Sequence, residues 1–164
     1  MDTWQPAEFY TQVIFTTREH VPLLANGQLV RLVVGAVNDC VPDAPGEVWA
    51  YLVLPDALRV IFGPTGEKAL DTYVESVKAH TQAHLLAAIL RADDDTLDPV
   101  LRYNPVWGGA IYHVWQAGYH RQDYHTTYRL SNAIFELQQL PVEAGLVSQP
   151  AAWPYLWIGN QDAG

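Results

Sequence analysis

Two apolar runs joined by a three-residue break constrain the fold of this chain more than any other feature. Glu47 to Leu54 (EVWAYLVL) and Leu58 to Phe62 (LRVIF) flank Pro55-Asp56, a pair suited to a tight turn. Runs of this length and type read as strands, and so short a break joins them as a hairpin. Their continuous apolar character places the hairpin in a buried, central position.

The rest of the chain must supply what covers it. Glu8 to Thr17 (EFYTQVIFTT) is rich in β-branched and aromatic residues and reads as a strand. After Asn26-Gly27, the residues Leu29, Leu32, Val33, Ala36, Val37 and Cys40 recur at helical spacing, and Pro42, Pro45 and Gly46 close that helix. Beyond Gly63-Pro64, the residues Leu70, Tyr73, Val74, Val77, Thr81, Leu85 and Ala88 form one stripe of a long amphipathic helix. Residues 100–114 read as irregular, Gly118 to Gln122 as a short strand, and Tyr124 to Gln139 as a last helix with Leu130, Ala133, Ile134 and Leu137 inward. The order is strand, helix, strand, strand, helix, strand, helix. Apart from the terminal helix this is a repeated split βαβ unit. The expectation is a ferredoxin-like α+β sandwich, an antiparallel sheet with helices on one face, plus a C-terminal helix. One domain is expected over residues 1–164, with residues 148–164 as an extended surface tail.

Composition narrows the function. Nine Lys+Arg stand against 18 Asp+Glu, a formal charge of −9 over 164 residues. Strong non-specific DNA binding draws on clustered cations, and here they are scattered from Arg18 to Arg129. The run Asp93-Asp94-Asp95 with Asp98 reads as a solvated loop rather than a cation site. Cys40 is the single cysteine, which excludes a disulfide framework and a cysteine-ligated zinc. No run approaches the roughly 18 apolar residues of a membrane span, and the start carries no signal-peptide pattern. No membrane partner and a cytoplasmic location are expected.

Several segments together resemble the single-tyrosine HUH transposases, most closely the REP-associated tyrosine transposases. They are Tyr10 to Leu24 (YTQVIFTTREHVPLL), Ala50 to Phe62 (AYLVLPDALRVIF), Val114 to Tyr119 (VWQAGY), Leu140 to Val147 (LPVEAGLV) and Trp153-Pro154-Tyr155. They fall in the family's order across nearly the whole chain. For active members the resemblance implies breakage and joining of single-stranded DNA through a covalent phosphotyrosine. Two histidines spaced by two on one strand hold Mg²⁺ or Mn²⁺, and a polar residue four positions after the tyrosine completes the metal shell.

Carried onto this chain, the resemblance puts Ala57 and Arg59 at the two histidines, Glu136 at the nucleophilic tyrosine and Leu140 at the polar ligand. Alanine offers no lone pair, a guanidinium repels a metal, and a carboxylate cannot form a phosphotyrosine. The expectation is a transposase-like protein, with no cofactor, that has lost cleavage and binds single-stranded or hairpin DNA weakly, as monomer or homodimer. An Arg59–Glu136 ion pair could fill the vacated place. Two alternatives stand beside it: an active transposase with a site rebuilt around Tyr128, and a protein-interaction module with no DNA role. Lys78 and Arg129 are the candidate phosphate contacts.

Other constellations have plainer readings. His80 and His84, four apart on the long helix, could share a metal, but by helical phase they read as packing on or beside the apolar stripe. His113, His120 and His125 could form a displaced metal site but read first as exposed polar residues on a loop-rich segment. Trp49, Trp107, Trp115, Trp153 and Trp157 could stack unpaired bases but read first as core and tail packing.

Overall fold

The computed structural model describes residues 10–20, 22, 24, 27–40, 48–63, 67–92, 102–103, 111–112 and 114–159. Strand β1 (Tyr10–Thr16) leads through a short 3-10 turn to helix α1 (Gly27–Asp39). The hairpin follows as β2 (Val48–Leu54) and β3 (Ala57–Phe62), and then the long α2 (Glu67–Ala92). Two short strands, β4 (Arg102–Tyr103) and β5 (Ile111–Tyr112), precede β6 (His120–Tyr124) and helix α3 (Thr127–Glu143). A 3-10 turn (Pro150–Ala152) and β7 (Leu156–Ile158) complete the order.

The main sheet has the strand order β6-β1-β3-β2-β7, and each neighbouring pair is antiparallel. The hairpin is central, as its apolar runs require, and Leu54 pairs with Ala57 across the turn. On one face Val13, Phe15, Leu58, Val60 and Phe62 meet α1 and α2 through Val33, Val37, Leu70, Tyr73 and Val77, all buried. On the other, Ala50, Leu52, Ile61 and Tyr124 meet Leu130, Ala133 and Leu137 of α3. Both sides of β2 and β3 are therefore covered, which is why neither strand alternates in polarity. A register shift between Val48 and Ala50 bends β2. It turns both Trp49 and Ala50 toward the α3 side.

Several expectations need correction. Within the segment expected as an extended tail, Leu156, Trp157 and Ile158 add a fifth strand to β2. Three residues following close on Pro150 and Pro154 carry too little periodicity to announce a strand. Helix α3 begins at Thr127, whose preceding Thr126 hydroxyl accepts from the Arg129 N–H at 3.1 Å. It continues past Gln139 through Pro141 to Glu143. The fourth sheet strand of the expected order is shifted two residues, to His120–Tyr124. Within 100–114, read as irregular, Arg102 pairs with Tyr112 and Tyr103 with Ile111. His113, Trp107, the acidic run 93–95 and Asp98 lie outside the described residues. No helix among the described residues is long and apolar enough to cross a membrane.

Candidate functional site

The face of the sheet under α3 carries the positions singled out by the resemblance. In β3, Leu58, Val60 and Phe62 point to the α1–α2 core, so strand alternation turns Ala57, Arg59 and Ile61 toward α3. Arg59 pairs in register with Ile14 of β1 and Leu52 of β2, at the centre of the sheet. Its Nη1 donates to the Gln12 side-chain oxygen at 3.3 Å. Gln12 in turn donates through Nε2 to the Tyr124 hydroxyl at 2.8 Å. A polar chain thus crosses three neighbouring strands, β3, β1 and β6, within an otherwise apolar layer.

Charge at this chain is uneven. Burial lowers the Arg59 pKa from its ordinary value, while Tyr124 and Asp56 act in the opposite direction. Burial also raises the Tyr124 phenol; the Gln12 hydrogen bond lowers it, Glu136 raises it, and Arg59 lowers it. Glu136 and Arg59 therefore both act on Tyr124, one from α3 and one from the sheet. The Arg59–Glu136 ion pair, one of two readings open from the sequence, is not formed. Among the described residues the ion pairs are His20–Asp56 at 3.3 Å and Arg121–Asp123 at 2.9 Å. Gln12 holds the guanidinium instead.

A divalent cation does not fit this arrangement. Ala57 has no donor atom, and Arg59 presents N–H groups and positive charge where a metal would need lone pairs. Its Nε, buried and without a hydrogen-bond partner, has a hydrogen to give and nothing to receive it. Among the described residues no group of three or more His, Cys, Asp or Glu is placed to hold a metal ion.

The remaining candidates are dispersed. Leu140 is partly buried against the α3 core, and Glu136 is exposed on the helix. Tyr128 stands in the first turn of α3, 73% exposed, beside exposed Arg129. Lys78 is turned to another purpose: its ammonium donates to the backbone carbonyls of Gln116 (2.9 Å) and Gly118 and lies 6.0 Å from the Phe15 ring centre. His80 and His84 are both exposed rather than packed on the apolar stripe. Their rings, 5.4 Å apart, border an α1–α2 cleft of about 160 Å³ with Arg31 and Asp39. His120 and His125 are exposed, as expected. Trp115 is core, Trp49 packs edge-on to Tyr10, Trp153 donates to the Val53 carbonyl at 3.0 Å, and Trp157 stacks on Tyr51.

Gln12 and Tyr124 were not singled out from the sequence. The available signal was a glutamine inside the apolar run Thr11 to Phe15, where a buried amide needs a polar partner. His20 was also passed over. It has a positive φ of 57° and meets Asp56, the residue preceding Ala57 in the hairpin turn.

Comparison by sequence with protein-family models and with curated proteins finds no match. Comparison of the fold with solved structures does. A REP-associated tyrosine transposase bound to a REP hairpin matches with a TM-score of 0.63 at 16% identity, over 95% of this chain and 82% of that one. A candidate transposase from Deinococcus radiodurans R1 matches with a TM-score of 0.48 at 15% identity, over 85% of this chain and 98% of that one. The first match, with the antiparallel five-stranded sheet and its three helices, gives the chain a transposase-like fold.

Proposed function

We propose that this protein is a transposase-fold DNA-binding protein that takes a structured single-stranded DNA, such as a hairpin, without cutting it. The observation that carries the reading is the Arg59–Gln12–Tyr124 chain at the centre of the sheet under α3. In active relatives that face is where the resemblance locates a metal and a nucleophile. In this chain the same positions carry a guanidinium, an alanine and a carboxylate, none of which can bind the metal and attack a phosphodiester. The fold match to a transposase that holds a hairpin supports nucleic acid as the ligand class. Tyr128 is a poor substitute nucleophile: exposed on the first turn of α3, it has no base among the described residues hydrogen-bonded to it that would activate it.

The test is a gel-shift titration with 5′-labelled hairpins, run with EDTA and with Mn²⁺, followed by denaturing electrophoresis of the same samples. Binding in both conditions with intact DNA is expected, and Tyr128→Phe should change neither. Mn²⁺-dependent nicking that disappears in Tyr128→Phe would establish the rebuilt-site enzyme instead. A protein-interaction role has one observation in its favour. Tyr128 and Phe135, 73% and 61% exposed, lie about two turns apart on one side of α3. Failure to shift any hairpin at low salt would move the reading to that alternative.

A further inference from the structure

Arg59 is a partly buried cation that no described carboxylate pairs with. Charged groups taken out of water are ordinarily matched by a counter-ion or a full set of hydrogen bonds. Here Nη1 has one acceptor, the Gln12 oxygen at 3.3 Å, while Nε–H is sealed from solvent with none. It is the one buried side-chain nitrogen or oxygen among the described residues left in that state. The neighbouring phenol adds a second donor. Tyr124 accepts from Gln12, which leaves its own hydrogen to be given to something else. Two donors and a positive charge converge on one sheet face, with no metal ligand among them. That is the chemistry of an oxyanion receptor. A guanidinium presents its N–H groups as a planar fork that matches phosphate oxygens two at a time.

We propose that Arg59 receives a backbone phosphate of single-stranded DNA directly, so that a fixed guanidinium neutralises the phosphate without a divalent cation. This rests on the DNA-binding reading above and names the contact within it. Three carboxylates act against the bound anion, Asp56, Asp123 and Glu136, and Asp123 is already held by Arg121 at 2.9 Å. Asp56 is engaged by the His20 imidazole at 3.3 Å. Glu136 is exposed on α3 and acts on the Tyr124 phenol from the opposite side. Glu136 is thus the residue whose removal should strengthen the site.

Two measurements test this. The first follows the arginine Nε–Hε resonances of the full-length protein by NMR in EDTA during titration with inorganic phosphate, with Arg59 assigned from its loss in Arg59→Gln. The second measures hairpin affinity in EDTA for wild type, Arg59→Gln, Arg59→Lys and Glu136→Gln, each checked for folding by circular dichroism. A saturable shift of the Arg59 resonance is expected. Hairpin binding should weaken about tenfold or more in Arg59→Gln. Arg59→Lys should recover part of the loss, and Glu136→Gln should bind more tightly than wild type. Should Arg59→Gln fail to fold, the resonance titration on the unaltered fold and the Glu136→Gln affinity decide. Equal hairpin affinity in wild type and Arg59→Gln overturns the proposal and leaves the DNA-binding reading standing. A phosphate shift at Arg59 in a protein that binds no hairpin overturns the DNA source and the functional reading together, and leaves the anion receptor. No shift with phosphate and no gain in Glu136→Gln overturns the receptor itself.

Discussion

Trp115 is buried against the α1–α2 side of the sheet, edge-on to Phe15 with ring centres 5.0 Å apart, and its indole N–H donates to the Thr81 hydroxyl at 2.8 Å. Thr81 in turn donates to the Val77 carbonyl at 2.7 Å. The Gln82 side-chain oxygen takes the Val114 N–H at 3.0 Å, and Lys78 takes the carbonyls of Gln116 and Gly118. Three neighbouring residues of α2 thus latch the stretch VWQAG. This stretch, one of those that carry the resemblance, has a structural role in this chain, and a lysine read as a phosphate contact is part of that latch. Thr81→Val leaves the indole N–H buried without an acceptor, at a cost of about 1–3 kcal/mol. Thr81→Ser keeps both hydrogen bonds and should lose less. Urea unfolding of the two variants checks the order. Tyr73 supplies a second residue-level prediction. Its hydroxyl donates to the Val37 carbonyl at 3.0 Å, tying α2 to α1. Burial, with a smaller contribution from Cys40, raises its pKa well above the ordinary phenol value. The folded state therefore holds this proton more tightly than the unfolded chain. The stability it contributes is complete below the unfolded value of about 10 and is lost as pH rises from there through the folded value. The urea midpoint should stay flat as pH approaches 10 and fall beyond it. A phenolate absorbance titration should show Tyr73 ionising only together with unfolding.

Helix boundaries proved less legible than helix faces, and α3 shows why. Its inward positions Leu130, Ala133 and Leu137 follow from spacing alone and are all buried. Its end does not follow, because a proline four residues past Leu137 reads as a stop. Pro141 is instead accommodated in the last turn. Its ring packs inward, and the helix closes two residues later with the Leu146 N–H on the Pro141 carbonyl at 2.9 Å and the Gly145 N–H on Val142 at 3.0 Å. Gly145 adopts a φ of +77°, which glycine takes without strain. Space around it is open, so a methyl group there meets no neighbour. Gly145→Ala should then cost only the backbone strain, about 1–2 kcal/mol, a lowering of the melting temperature by about 2–8 °C for a domain of this size. Gly145→Asn should cost less, because asparagine tolerates this conformation better. A loss in Gly145→Ala several times larger would mean that the cap does more than end a helix. β7 was missed for a different reason. Its pairing is set by β2, far away in sequence, and three residues carry no period by themselves.

At the scale of the whole molecule, the two faces of one sheet divide the work. The α1–α2 face is predominantly apolar, its buried polar groups such as Thr81 and the Tyr73 hydroxyl being hydrogen-bonded within it, and it was readable from helical stripes and the continuous hairpin runs. The α3 face holds the polar chain, and only half of it was readable. Arg59 emerged from alignment to a hairpin motif, whereas Gln12 and Tyr124 join it through strand pairings that no local pattern encodes. The same division bears on how this acidic protein can hold DNA. Steep salt dependence comes from many cations displacing counterions, about 0.7 in the log–log slope per phosphate on a single strand. The described cations are already partly committed. Lys78 is spent on carbonyls, and Arg121 forks onto both oxygens of Asp123 at 2.9 and 3.2 Å. On the α3 side, Arg59 at the sheet centre and Arg129 in the first helical turn are the cations for a phosphate to meet. Two phosphate contacts give a slope of about −1.4, so raising salt fourfold should weaken hairpin binding only about sevenfold. Removing either arginine should bring the slope to about −0.7. With a net charge of −9, long-range repulsion works against encounter, and added salt screens that repulsion as well. A measured slope steeper than about −4 would require at least five or six phosphate contacts, more than this face supplies, and would move the DNA to another surface of the molecule.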